Sequence, residues 1–290
     1  MMCIFWKLLL AVAIGVILAA ILEYVVNFIR RRRESRGAGI SLLMPFGGDD
    51  PVRVQAFEWL VRYWAAQLPR ARMIIGRDDN VPFSKTTAFN NARSRARGDI
   101  LVLLDADCYI DAKVLVHCAR EIREARREGK RLWYIPYRHF YRLNREASQR
   151  VLASDPADPL VFPSPPSRDD TEDQSSASNG HWWGALIQVM PREAYDIVGG
   201  CDTRFAGWGG EDVAFMRAVD TLYAKHKTTP NQVLHLWHPV IRGEWKLRKW
   251  PGQLSAQDNE KLANRYYAAF GDPQRMRALV DEYKEVVSDG

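Results

Sequence analysis

Cysteine is scarce in this sequence. Only Cys3, Cys108, Cys118 and Cys201 stand among 290 residues, with no CxxC spacing and no ladder of pairs. That excludes a zinc ribbon or a disulfide scaffold and points to a reducing compartment. Excess charge is also small. The formal net charge of +6 gathers largely in the arginines that follow the first apolar segment. No RNA- or DNA-binding motif accompanies it, so the positive sign suits a membrane surface and phosphate groups rather than nucleic acid. Internal repeats and long low-complexity tracts are missing too, which leaves room for one membrane segment and one domain of ordinary size.

The apolar segment is the first thing present. Every residue from Leu8 to Leu22 is apolar, and the segment runs on to Ile29 with only Glu23 and Asn27 interrupting it. That length suits a bilayer of ~30 Å, which takes ~20 helical residues to cross. Arg30, Arg31, Arg32 and Arg33 follow at once, whereas only Lys7 and the amino terminus precede it. The positive-inside rule then puts the rest of the chain on the cytoplasmic side of a single-pass membrane protein, with the bilayer as partner through residues 8–29. A cleaved signal peptide would carry its positive charge in front.

Beyond Gly37–Gly39 the pattern alternates. Ile40–Met44 is strand-like, and Asp50-Pro51 caps a helix carrying Val54, Phe57, Leu60, Trp64 and Leu68 at helical spacing. Arg72–Gly76 is a second strand, Ser84–Arg97 a helix, Ile100–Leu104 a fully apolar strand, and Asp111 opens another helix. Strand alternating with helix predicts an α/β fold, a Rossmann-like and mostly parallel sheet with flanking helices. Ser154–Asn179, rich in Pro, Ser and Asp, reads as a mobile loop. Gln232–Trp237 reads as a closing strand, Arg242–Trp250 as a basic aromatic loop, either a lid over a diphosphate or a solvated or membrane-facing segment, and Leu254–Phe270 and Pro273–Val287 as helices.

Three stretches carry chemistry. The strand at Ile100 ends in Asp105 and Asp107, which share a side in extended chain and repel unless a cation lies between them. A hard divalent ion carrying a nucleoside diphosphate is the natural occupant. The competing reading makes Asp105 a helix cap and leaves Asp107 solvated. In Gly207-Trp208-Gly209-Gly210-Glu211-Asp212 the glycines free the backbone, the indole offers a flat face, and two acids sit at a helix start. A sugar ring needs that pairing of a flat face with a proton acceptor. His235 and His238, after the closing strand, suit an ion of the Mn2+ class. Asp78 and Asp79, at the end of the second strand, are either acceptors for a base N–H or ordinary turn residues, and Lys85 and Asn90 lie on one helical side, from which phosphate or ribose is the candidate target.

Together these pieces resemble GT-A fold glycosyltransferases of the family 2 type, and within them the β-1,4-galactosyltransferase and chondroitin-synthase group. Met44-Pro45-Phe46 resembles the nucleotide-binding end of that group's first strand, with Gly47 where an arginine is expected. The run from Phe83 through Lys85 to Asn90 is similar to FNRAKLLN, and Asp105-Ala106-Asp107 to the DVD motif. The resemblance implies a GT-A (nucleotide-diphospho-sugar transferase) domain over residues 37–250, between an anchor at 1–36 and a helical extension at 251–290.

It further implies Mn2+ or Mg2+ held by Asp107 and His235 with Asp105 in support, and a UDP-sugar against Pro45, Phe46, Lys85, Asn90 and the two aspartates. The acceptor, a glycan or protein hydroxyl, is implied at Trp208, Gly209 and Gly210, with Asp212 as base and Glu211 beside it. Retaining N-acetylgalactosaminyltransferases carry Asn at the position of Asp212, so its carboxylate implies inversion. The expected activity is transfer of a hexose or N-acetylhexosamine, in a bacterial or viral setting. The rival expectations are a catalytically silent sugar- or nucleotide-binding membrane protein and a metal-dependent phosphoesterase.

Overall fold

The computed structural model describes residues 2–34, 36–79, 83–177, 185–205, 207, 209–239 and 256–288, and among these the side chains of all but 2–13, 31, 256–257 and 284–288. The chain opens with α1 (Met2–Glu34). There follow β1 (Ile40–Pro45), α2 (Pro51–Gln67), β2 (Arg72–Gly76), α3 (Lys85–Arg95) and β3 (Ile100–Leu104). Next come β4 (Cys108–Tyr109), α4 (Ala112–Arg127), β5 (Tyr134–Ile135), β6 (His139–Leu143), α5 (Arg145–Ala153) and β7 (Thr171–Ser176). The chain finishes with β8 (Ile187–Pro191), α6 (Arg192–Ile197), α7 (Glu211–Leu222), β9 (Lys227–Thr228), β10 (Gln232–His235), α8 (Ala256–Ala269) and α9 (Pro273–Ser288).

A six-stranded sheet runs in the order β2-β1-β3-β8-β5-β9. Its first three strands are parallel, as the apolar runs separated by helices require. All six residues of β1 and all five of β3 are buried, each large side chain stabilising the fold by about 1.5–3 kcal/mol. β8 enters antiparallel to both β3 and β5, so the sheet is mixed, with the other three pairings parallel. Nothing in the apolar run at Ile187 distinguishes an antiparallel strand from a parallel one once both faces are covered.

The sequence-read caps hold. Asp50 accepts from the N–H groups of Val52 and Arg53 at 3.0 Å, and Asp111 from Lys113 at 2.9 Å. They fix where α2 and α4 start. α2 buries Trp59, Leu60, Tyr63 and Trp64, and Tyr63 donates to the carbonyl of Ile110 at 2.8 Å, tying α2 to the chain just after the acidic pair.

A second sheet, β4-β10-β6-β7, takes Thr171–Ser176 out of the stretch expected as a mobile loop, Ser154–Asn179. β7 pairs antiparallel with β6, Trp59 donates to the carbonyl of Ser154, Gln67 to those of Pro156 and Ala157, and Phe162 is buried. A polar strand with one paired edge needs little apolar content, which is why its composition misleads. Residues 178–179 of that stretch, and the basic aromatic loop Arg242–Trp250, lie outside the described residues.

The tail packs on the domain. α8 and α9 lie against α7; Tyr266 donates to Asp202 at 2.8 Å, and Arg204 pairs with Glu282 at 2.6 Å. α1 is helical through the predicted span, and its described side chains expose large apolar groups such as Ile17, Leu18, Leu22 and Phe28. Among the described residues no helix is long and apolar enough to cross a membrane. The first part of the apolar run, Leu8–Ala13, lies outside the residues whose side chains are described.

Candidate functional site

The parallel strands deliver their carboxyl ends to one edge, and β3 brings Asp105 and Asp107 there. Just after them β4 pairs antiparallel with β10, setting His235 opposite Cys108. The N–H of Leu236 donates to the carbonyl of Asp107 at 2.7 Å, which stitches the closing strand to the acidic pair. The result is a group of three: Asp107, His235 and His238 each offer one ligand atom, all within 4.8 Å of one another. Nε2 of His235 lies 3.5 Å from Oδ1 of Asp107, and Nε2 of His238 lies 3.4 Å from Oδ2.

Two details fit a cation in this group. Oδ1 of Asp107 and Nδ1 of His235 are buried with no hydrogen-bond partner among the described residues, a costly state for an anion's oxygen. Nδ1 of His238 faces the carbonyl of Pro239 at 3.0 Å, and a carbonyl only accepts. The carbonyl therefore takes the proton of Nδ1 and orients the ring from behind, leaving Nε2 as the ring atom nearest Oδ2 of Asp107, where a divalent ion would find its third ligand.

Burial works against the Asp107 anion, yet His235, His238 and Arg53 hold its carboxyl well below the usual range. Burial pushes the His235 imidazole down to about 4, against the pull of Asp107, so the ring is a neutral ligand at ordinary pH. Arg53 approaches Oδ2 of Asp107 at 3.3 Å from the first turn of α2. Sequence reading passed over Arg53; the only signal was its place three residues after the Asp50 cap, at the end of the helix that faces this sheet edge. His238, which the resemblance ranked behind His235, stands equally close to Asp107.

A second cluster adjoins the first. Lys85, capped into α3 by Ser84, reaches Oδ1 of Asp105 at 2.7 Å and Oε1 of Glu211 at 3.5 Å. Asp105 is thus engaged by a lysine and stands outside the Asp107–His235–His238 group. Burial pushes its carboxyl up to about 7, helped by Asp107 and opposed by Lys85. Three neighbouring acids, Asp105, Glu211 and Asp212, outweigh burial at Lys85 and keep it protonated.

Glu211 and Asp212 open α7. Gly210, at φ +86°, is the residue before them, and a Cβ there would come within 2.8 Å of the Ala263 Cβ on α8. Only glycine fits that approach. Asp212 accepts from the N–H of Ala185 at 3.2 Å and from that of Val213 at 2.8 Å. Burial, then Glu211, pushes its carboxyl up to about 6, with Lys85 opposing. A carboxylate tuned toward neutrality and held by backbone donors can take a proton from a hydroxyl.

The remaining candidates divide. Pro45 ends β1, and Phe46 stacks on Phe57 with ring centroids 3.9 Å apart and Arg77 above it. Asp78 accepts from the N–H of Ser84 at 2.7 Å and so braces the start of α3. Gly209 donates its N–H to Glu211, and Trp208 lies outside the described residues. Asn90 is engaged within the fold. Its oxygen accepts from Tyr195 and from the N–H of Cys201, and its amide donates to the carbonyl of Cys201 and to Tyr283. Those four bonds use both amide hydrogens and both lone pairs of the oxygen, which gives the side chain a structural task. Accordingly Asn90→Ala costs about 2–3 kcal/mol in a denaturant titration and leaves KM for a nucleotide sugar unchanged.

No protein-family model matches the chain, and no curated protein matches it. Solved structures do show similarity. Covering 84% of this chain at 12% identity and TM-score 0.45 is GalNAc-T7 with UDP, GalNAc and Mn2+; this chain spans 55% of that protein's length. The mannosyltransferase PcManGT from Pyrobaculum calidifontis, in complex with GDP-Man and Mn2+, is similar over 97% of this chain and 87% of its own, at 13% identity and TM-score 0.41. Drosophila β-1,4-galactosyltransferase 7 with xylobiose is similar over 75% and 82%, at 14% identity and TM-score 0.36. Likeness at that level assigns the chain neither a family nor a reaction.

Proposed function

We propose that this chain is a metal-dependent glycosyltransferase of GT-A type, which moves a hexose or N-acetylhexosamine from a UDP-sugar to an acceptor hydroxyl with inversion. The observation that carries this reading is the meeting of the Asp107–His235–His238 group with a lysine-bridged acid cluster that ends in Asp212. Asp107, His235 and His238 would hold Mn2+ or Mg2+, which when bound supplies positive charge for a departing diphosphate. Arg53 adds a fixed positive charge beside Asp107. Lys85 holds Asp105 and Glu211 in place and keeps them from repelling one another. Asp212 accepts the proton of the attacking hydroxyl at its carboxylate, with Glu211 on the acceptor side.

The membrane reading is part of the same proposal: α1 anchors the chain in a bilayer, supported by its exposed apolar side chains from Ile14 to Ile29 and the arginines after them. Incubation of the chain with Mn2+, UDP-hexoses and sugar acceptors is the direct assay. Release of UDP that chelation abolishes is the expected result, and release of inorganic phosphate or no turnover across the donors would overturn the reading.

The pH profile follows from Asp212. Its carboxyl loses the proton through about pH 6, so kcat/KM rises with pH through that value and levels off above it. His235, down at about 4, is neutral across the whole rise. Lys85 pulls the Asp212 pKa down, so Lys85→Met shifts the rise to higher pH; an unmoved profile would detach Lys85 from the base.

A further inference from the structure

Between α1 and α4, remote from the cleft, lies an open groove of about 620 Å3. α1 contributes Val26, Ile29, Arg30 and Arg33, and α4 faces them with Arg123, Arg126 and Arg127. Five arginines thus line it, against two carboxylates, Glu34 and Asp99. Three of the five are neutralised. Arg30 pairs with Glu34 at 3.0 Å, Arg123 grips both oxygens of Asp99 at 2.8 Å, and Arg126 reaches Glu193 at 3.3 Å. Arg33 and Arg127 have no carboxylate at ion-pair distance among the described residues, although Arg127 donates through Nε to the carbonyl of Arg123.

The groove is amphiphilic along its length. Its α1 wall passes from Val26 and Ile29, both about half exposed, to Arg30 and Arg33 within about two helical turns. Upstream the same helix exposes Leu18, Ile21 and Leu22. A free phosphate or a nucleotide would use the guanidinium groups and waste the apolar wall. An anion carrying a hydrocarbon chain uses both, with the phosphate near the cations and the chain directed along the helix.

We propose that this groove binds an anionic phospholipid, its phosphate taken by Arg33 and Arg127 and an acyl chain laid against Val26 and Ile29. The inference rests on the anchoring role proposed for α1, because that anchor would hold the groove at the headgroup level of the cytoplasmic leaflet. It makes lipid composition a determinant of how the catalytic domain sits on the surface.

The test uses the full chain in two measurements. Flotation with phosphatidylcholine vesicles reads anchoring, and native mass spectrometry from detergent with phosphatidylglycerol or phosphatidylcholine added reads the groove. Phosphatidylglycerol is expected to stay bound in preference, and Arg33→Gln/Arg127→Gln to reduce its retention roughly tenfold while flotation and Tm are unchanged. Flotation without preference for phosphatidylglycerol, or a preference that survives the double substitution, would overturn the groove while leaving the anchor. Phosphatidylglycerol retention that the substitution abolishes, in a chain that does not float, would support the groove and remove the anchor. Failure in both measurements removes both.

Discussion

Asp212→Asn lowers kcat by roughly a hundredfold to ten-thousandfold while Mn2+ still raises Tm. The size follows from what the substitution removes. Asparagine has the shape of aspartate and keeps one carbonyl oxygen for either Ala185 or Val213, but it has no lone pair basic enough for a hydroxyl proton. One of the two backbone N–H groups loses its acceptor, which costs about 1–3 kcal/mol and leaves the variant folded. UDP release under single-turnover conditions checks the rate, and the Mn2+-dependent Tm shift checks the fold. Wild-type turnover in Asp212→Asn would remove the base from this reaction.

Asp107→Ala acts at an earlier point. It deletes the one carboxylate that His235, His238 and Arg53 all face, so affinity for Mn2+ falls by at least roughly a hundredfold and transfer falls with it. Asp107 raises the His235 pKa against burial, so its removal lowers that pKa further and the ring stays neutral. The variant therefore gains no new charge at ordinary pH, and its loss of metal is not the product of a protonated histidine. Titration of Mn2+ by Tm shift separates the two variants: Asp212→Asn keeps the response and Asp107→Ala loses it. An unchanged Mn2+ affinity in Asp107→Ala would dissolve the proposed centre.

The sequence made the three parallel strands and their helices legible because each is a strong local signal. Asp50-Pro51 and Asp111 mark helix starts by themselves, and an unbroken apolar run such as Ile100–Leu104 admits few other readings. The acidic pair and the glycine-rich turn were likewise visible as chemistry before any geometry. What remained hidden depends on neighbours. The direction of β8, the two residues of β4 and the polar strand β7 are set by pairing partners distant in the chain, and no local pattern carries that. Asn90 belongs to the same class: as a letter in a motif it suggests a ligand, whereas Tyr195, Cys201 and Tyr283, all from later segments, consume its amide. Arg53 was missed for the opposite reason, since an arginine on an exposed helix start is ordinary until Asp107 is seen beside it.

The backbone bond from Leu236 to Asp107 has a consequence for biosynthesis. Its two ends lie far apart along the polypeptide, so a chain emerging from the ribosome holds the acidic half of the cradle long before the imidazole half is made. A nascent chain stalled ahead of His235 carries only Asp107 of the three residues that would hold the proposed ion.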